Sequence, residues 1–101
     1  MTKRIEIDGN KWRHVGDAII GLRVALGAIP SHGNSIDAFI DSMVYGGMLE
    51  VDPPYLIIVS NVQSPDAAKF IKELSQELVE ARAWRKEHYG DDVDVSVSLV
   101  D

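Results

Sequence analysis

The chain contains no cysteine, which excludes a disulfide framework, a thiolate nucleophile and a cysteine zinc site and fits a reducing compartment. Long apolar runs are missing too. The longest, Tyr55 to Val59, is far short of the ~20 residues that cross a bilayer, so no membrane association is expected. The opening Met1-Thr2-Lys3-Arg4-Ile5-Glu6 has no apolar signal core, and the expectation is a soluble, cytoplasmic protein. Basic residues are scarce: ten Lys and Arg against sixteen Asp and Glu give a net charge of −6. That balance disfavours direct nucleic-acid binding, whose affinity comes mostly from neutralising phosphates. The scarcity is concentrated in the middle of the chain. No Lys or Arg stands between Arg23 and Lys69, while Asp37, Asp41, Glu50, Asp52 and Asp66 make positions 24 to 68 a single-sign segment of −5. Displayed on a surface, such a segment attracts cations or basic proteins over a Debye length of about 8–10 Å; the same charge also serves solubility alone. Catalytic motifs are absent as well. There is no glycine-rich phosphate loop, no nucleophile elbow and no histidine pair at metal-ligand spacing, so the chain is read as a non-enzyme without cofactor or metal.

What is present is an ordinary globular composition, 46% hydrophobic and 26% charged over 101 residues, enough for one compact core and one domain spanning residues 1–101. Ile5-Glu6-Ile7, followed by Asp8-Gly9-Asn10, reads as a strand and a turn. Val15, Ile19, Leu22 and Leu26 recur at helical spacing and predict a helix from Val15 to Gly27. Gly16, Gly21 and Gly27 weaken it, which calls for compensating tertiary packing or a close approach by a neighbour. Residues 29–34, Ile-Pro-Ser-His-Gly-Asn, form a loop. A second helix is expected from Ser35 to Tyr45, capped by Asn34 or Ser35, with Ile36, Phe39, Ile40 and Met43 on its core side and Asp37, Asp41 and Tyr45 on another. Tyr55-Leu56-Ile57-Ile58-Val59 is apolar throughout and predicts a strand covered on both faces. Ser64-Pro65-Asp66 starts the longest helix, whose apolar face (Ile71, Leu74, Leu78, Ala81) runs to about His88, with Gly90 as a left-handed stop. Val93, Val95, Val97 and Leu99 then alternate with polar residues as a half-buried strand. The resulting order, β-α-α-β-α-β with long crossovers, predicts an α/β fold in which a small parallel sheet is flanked by helices.

Candidate functional residues cluster in and before the second helix. Asp37 and Asp41 are one turn apart, a like-charge pair that costs a few tenths of a kcal/mol unless something neutralises it. Either solvent accommodates the pair, or a partner bringing Arg or Lys converts it into charge-assisted hydrogen bonds. His32, in the loop that feeds this helix, offers with Asp37 and Asp41 a weak alternative as a metal site or an oriented base; Ser-His-Gly-Asn is also common loop chemistry. His14 and His88 read as structural or surface residues, and Trp12 and Trp84 as core or rim packing.

The stretch His32-Gly33-Asn34-Ser35-Ile36-Asp37-Ala38-Phe39-Ile40-Asp41-Ser42-Met43 resembles the signature of the barstar-like ribonuclease inhibitors. Looser likeness extends to Ile5-Glu6-Ile7-Asp8-Gly9, to Asp17 through Pro30 and to Asp94 through Leu99. The resemblance implies three parallel strands flanked by helices. It also implies an antitoxin-type inhibitor that plugs the cationic active site of a basic, extracellular-type microbial ribonuclease of the barnase kind, or a related toxin, by mimicking RNA phosphate. Partner binding then falls to Asp37 and Asp41, with Asp41 at the centre, supported by Ser31, His32, Asn34, Ile40 and Tyr45. A supporting acid on the long helix is open between Glu80 and Glu87, with Arg85 a third alignment. Ile40 stands where the family presents an exposed aromatic, and Ser31-His32 replace loop aromatics. The other reading is an acidic interaction domain of the same fold whose partner is not a ribonuclease. A monomer is favoured.

Overall fold

A computed structural model describes residues 2–28, 33–46 and 49–100. The loop residues Ser31 and His32 lie outside the described residues. Three parallel strands, β1 (Lys3–Asp8), β2 (Tyr55–Ser60) and β3 (Val95–Val100), form one sheet in the order β1-β2-β3. Ile5 sits opposite Ile57 and Ile57 opposite Val97; Arg4, Leu56 and Ser96 form the neighbouring row. The connections carry helices α1 (Val15–Leu26), α2 (Ile36–Ile40) and α3 (Pro65–Tyr89). The three-stranded parallel α/β architecture and its element order therefore match the expectation.

Local chemistry explains the helix boundaries. Asp17, three residues into α1, turns its carboxylate back to accept from the Arg13 N–H at 2.8 Å, occupying a donor that the helix itself cannot pair. Gly27 closes α1 in the left-handed region (φ 63°), and its N–H bonds back to Arg23 O and Val24 O. A Cβ there would come within 2.7 Å of Glu50, so both conformation and space require glycine. Gly21 is the close approach that the helix sequence calls for: its missing Cβ leaves room for the Trp12 indole, which packs against the core. Ser64 caps α3, its Oγ accepting from Ala67 N, with Pro65 in the first turn and Gly90 in the left-handed region at the far end.

The core lies between the helices and one face of the sheet. Leu22 and Leu26 of α1, Phe39 of α2, Ile71, Leu74 and Leu78 of α3, and Tyr55, Ile57, Val59, Val95 and Val97 of the strands are buried together. Phe39 meets Phe70 edge to face, with centroids 6.3 Å apart, a favoured aromatic geometry. The opposite face of β2 departs from the expectation of two covered faces. Leu56 and Ile58 are only partly buried and lie outside the core, between the exposed Arg4 and Glu6 of β1 and the half-buried Ser96 and Ser98 of β3. An apolar run does not distinguish a central strand with two covered faces from one whose second face is shielded by neighbouring rows.

The expected second helix also departs from regularity. After Ile40 the chain continues as a π-helical turn over Asp41–Tyr45, where each hydrogen bond spans one extra residue and the helix widens. Ser42, Met43 and Val44 become buried in succession, which a 3.6-residue stripe does not produce. Ser42 donates its hydroxyl to Ala38 O at 3.0 Å.

Candidate functional site

Ser35 sets up the acidic helix. Its Oγ accepts from Ala38 N at 3.1 Å, so the helix start is capped by Ser35. Asp37 occupies the first turn, where the positive end of the helix dipole stabilises a carboxylate. The backbone stays right-handed helical through Ile40 and Asp41, so Asp37 and Asp41 sit one turn apart, both exposed. Among the described residues, neither forms an ion pair.

The remaining candidate residues separate. Asn34 Oδ1 accepts from Arg23 Nη1 at 3.3 Å, which ties the entry of the helix to α1. Ile40 is half-buried against the core. Tyr45 is exposed, with the Arg85 guanidinium 5.7 Å from its ring centroid. Asp37, Ile40 and Tyr45 meet α3 residues Glu77, Glu80 and Trp84 along an open groove of about 320 Å³ between the two helices. Asp41 stands outside that groove's lining. Among the described residues no cluster of His, Asp and Glu could hold a metal ion; His32 lies outside them.

Sequence reasoning missed Glu77 and read Trp84 as core or rim packing. Trp84 is outside the core, 46% exposed, stacked on His88 at 4.1 Å between centroids and edge-on to Tyr89. The signal was present at i, i+3, i+4 and i+7: Glu77, Glu80, Ala81 and Trp84 share one side of α3, flanking the buried Leu74 and Leu78. What the pattern could not show is that this side borders α2. Of the long-helix acids, Glu80 faces the acidic helix across the groove, and Glu87 is exposed outside its lining.

Arg85 has a different role from an acid. It donates Nη1 to the Val44 carbonyl and a fork of Nε and Nη2 to Asp91 at 3.0 and 3.1 Å. One side chain thus joins the end of the π-turn, α3 and the segment after Gly90. Arg82 does the same one turn earlier, holding Asp92 through two bonds and Val95 O through a third. These fork-to-carboxylate bonds lower the pKa of Asp91 and of Asp92. The arginines of the C-terminal half are therefore spent on residues 91–94, and the carboxylates facing one another across α2 and α3 keep no cation among the described residues.

No family model matches the chain, and no curated protein matches it in sequence. The arrangement itself is an anionic surface: acids on two helices, with a capped start on one, and exposed Tyr45 and Trp84 beside them. Such a surface can receive an Arg- or Lys-rich cavity.

Proposed function

We propose that the protein is a barstar-like inhibitor that blocks the cationic active site of a barnase-like microbial ribonuclease, inserting the acidic helix and the loop before it. The observation that carries this reading is the exposure of Asp37 and Asp41 on one helix with no ion pair among the described residues. Like charges one turn apart are tolerated in water, and they gain when a partner supplies the guanidinium or ammonium groups that a nuclease keeps for substrate phosphate. Asp41 is the central contact, Asp37 a flanking one, and Glu80 the supporting acid from α3. Inhibition is noncovalent blockade, with no chemistry performed by the inhibitor.

The test is a titration of barnase-like ribonuclease activity with wild type and with Asp41→Ala. Stoichiometric inhibition by wild type and its loss in the variant support the reading. Undiminished inhibition by Asp41→Ala removes the role of Asp41, and no inhibition by wild type removes the ribonuclease as partner. Ile40, half-buried where the family presents an exposed aromatic, favours a second reading in which the same acidic face docks a basic protein that is not a ribonuclease.

A further inference from the structure

The two edges of the sheet are finished differently. Asp94 O accepts from Tyr55 N, so Asp94, Ser96 and Ser98 turn their carbonyls to β2 while those of Val95 and Val97 point outward. Side chains of α3 take both: Arg82 Nη1 donates to Val95 O at 3.2 Å and Ser75 Oγ to Val97 O at 2.7 Å. On β1 the ladder to β2 uses alternate residues, beginning with Lys3 N on Pro54 O and ending with Gly9 N on Ser60 O. Arg4 and Glu6 therefore turn their N–H and C=O groups away from the sheet. Among the described residues nothing bonds to these outward groups.

An open edge is a template for a further strand, and charge of one sign is a common way to repel it. Here the sign changes along the strand: Lys3-Arg4-Ile5-Glu6-Ile7-Asp8 begins basic and ends acidic. Turned antiparallel about Ile5, a second copy sets its Glu6 opposite Arg4 and its Arg4 opposite Glu6. These are the outward-facing residues, so each such pair exchanges both backbone hydrogen bonds. Sliding the register by two residues either way sets Arg4 against Arg4 or Glu6 against Glu6, like charges directly opposite, which destabilise. Lys3 and Asp8 are already engaged, by Asp52 O and by Asn10 N and Asn61 Nδ2. Arg4 and Glu6 are largely exposed and meet each other within the strand only at 3.9 Å. The half-buried Ile5 meets its own copy at the two-fold axis. We propose that β1 is a self-association edge, through which two copies of the chain pair antiparallel and join their three-stranded sheets into one. Such an interface uses the same patch on both copies, so it closes at a dimer. One short strand pair is smaller than a standard interface, and the dimer is therefore weak, the free chain predominating in dilute solution. Neither Arg4 nor Glu6 lines the α2–α3 groove, so the dimer is independent of the inhibitor reading.

Sedimentation velocity in low salt, from about 10 μM to about 1 mM, reads the association: the mass rises toward a dimer and no further. Over the same range the outward amides of Arg4 and Glu6 slow in hydrogen exchange, while those of Ile5 and Ile7, already in the ladder, do not change. Arg4→Glu alone and Glu6→Arg alone each set like charges opposite in both pairs and weaken the dimer roughly tenfold. Both side chains are exposed, so each variant keeps its fold. An equal mixture of the two variants brings opposite charges together again at both pairs and associates at least as well as the wild type. A wild type that stays monomeric throughout that range, a dimer indifferent to both reversals, concentration-dependent protection absent from Arg4 and Glu6, or a mixture that associates no better than either variant alone overturns the proposal.

Discussion

Asp41 is exposed and forms no ion pair among the described residues, so its replacement tests the proposed binding separately from folding. Asp41→Ala is expected to change stability by no more than about 0.5 kcal/mol, as for other surface positions without a special contact. Truncating one member of a desolvated, hydrogen-bonded charge pair costs about 2–5 kcal/mol of affinity, and loss of that order is expected toward a basic partner. Calorimetric titration beside urea unfolding checks both halves. Gly27 is the opposite kind of residue, with no accessible chemistry and a strict conformational role. Gly27→Ala forces a Cβ into the left-handed region and onto Glu50, and a fall in the thermal midpoint is the expected outcome.

At the scale of elements, the acidic helix is short, five α-helical residues followed by a five-residue π-turn. A helix of that length has no stability of its own in water; it is held by what it buries. Phe39 is fully buried against Phe70 and the core, and Phe39→Ala is expected to cost about 3–5 kcal/mol. Much of that loss falls on α2 itself, so hydrogen exchange at Ile40 to Val44 should accelerate more than exchange within β2. The far end of the helix is fixed from outside by Arg85 at the Val44 carbonyl. The long helix α3 is defined at its start by the Ser64 cap, and Ser64→Ala is expected to lower stability by about 1 kcal/mol, read as a shift in urea midpoint at constant slope.

For the whole molecule, charge is distributed in two regimes. Residues 91–94 have their acids paired with Arg82 and Arg85, whereas the α2–α3 surface carries acids without cations among the described residues. Three acids with lowered pKa contribute to acid stability. Asp17 is lowered by the Arg13 backbone N–H, Asp91 by Arg85 and Asp92 by Arg82. A depressed folded pKa means that the unfolded chain binds protons first as pH drops. Their contribution is thus complete above the ordinary aspartate range near pH 4 and is lost as pH falls through the lowered folded values. All three are exposed enough for solvent to screen the effect, so a modest decline in urea midpoint below pH 4 is expected, shallower in the double variant Asp91→Asn, Asp92→Asn. On the proposed inhibitor reading, the unpaired acids drive association with a basic partner. Binding to a basic partner should weaken steeply as salt rises from 50 to 500 mM, mainly through the association rate; a flat salt response excludes the electrostatic mechanism.

Periodicity and turn chemistry by themselves determined the element order, the parallel sheet, the ends of α1 and α3 and the exposure of Asp37 and Asp41. These follow from interactions within a few residues: the Ser64 cap, the left-handed Gly27 and Gly90, and the alternation along β3. Tertiary structure decided the rest. The π-turn exists where Ser42, Met43 and Val44 all find burial and Arg85 takes the last carbonyl, a demand made by distant residues. Leu56 and Ile58 stay outside the core because no described residue on their face joins it, a fact about neighbours and not about an apolar run. Glu77 and Glu80 become part of the anionic surface only because α3 crosses beside α2. A side chain's local partners are written in its own segment, whereas the electrostatic field at a surface sums over segments that only the fold brings together.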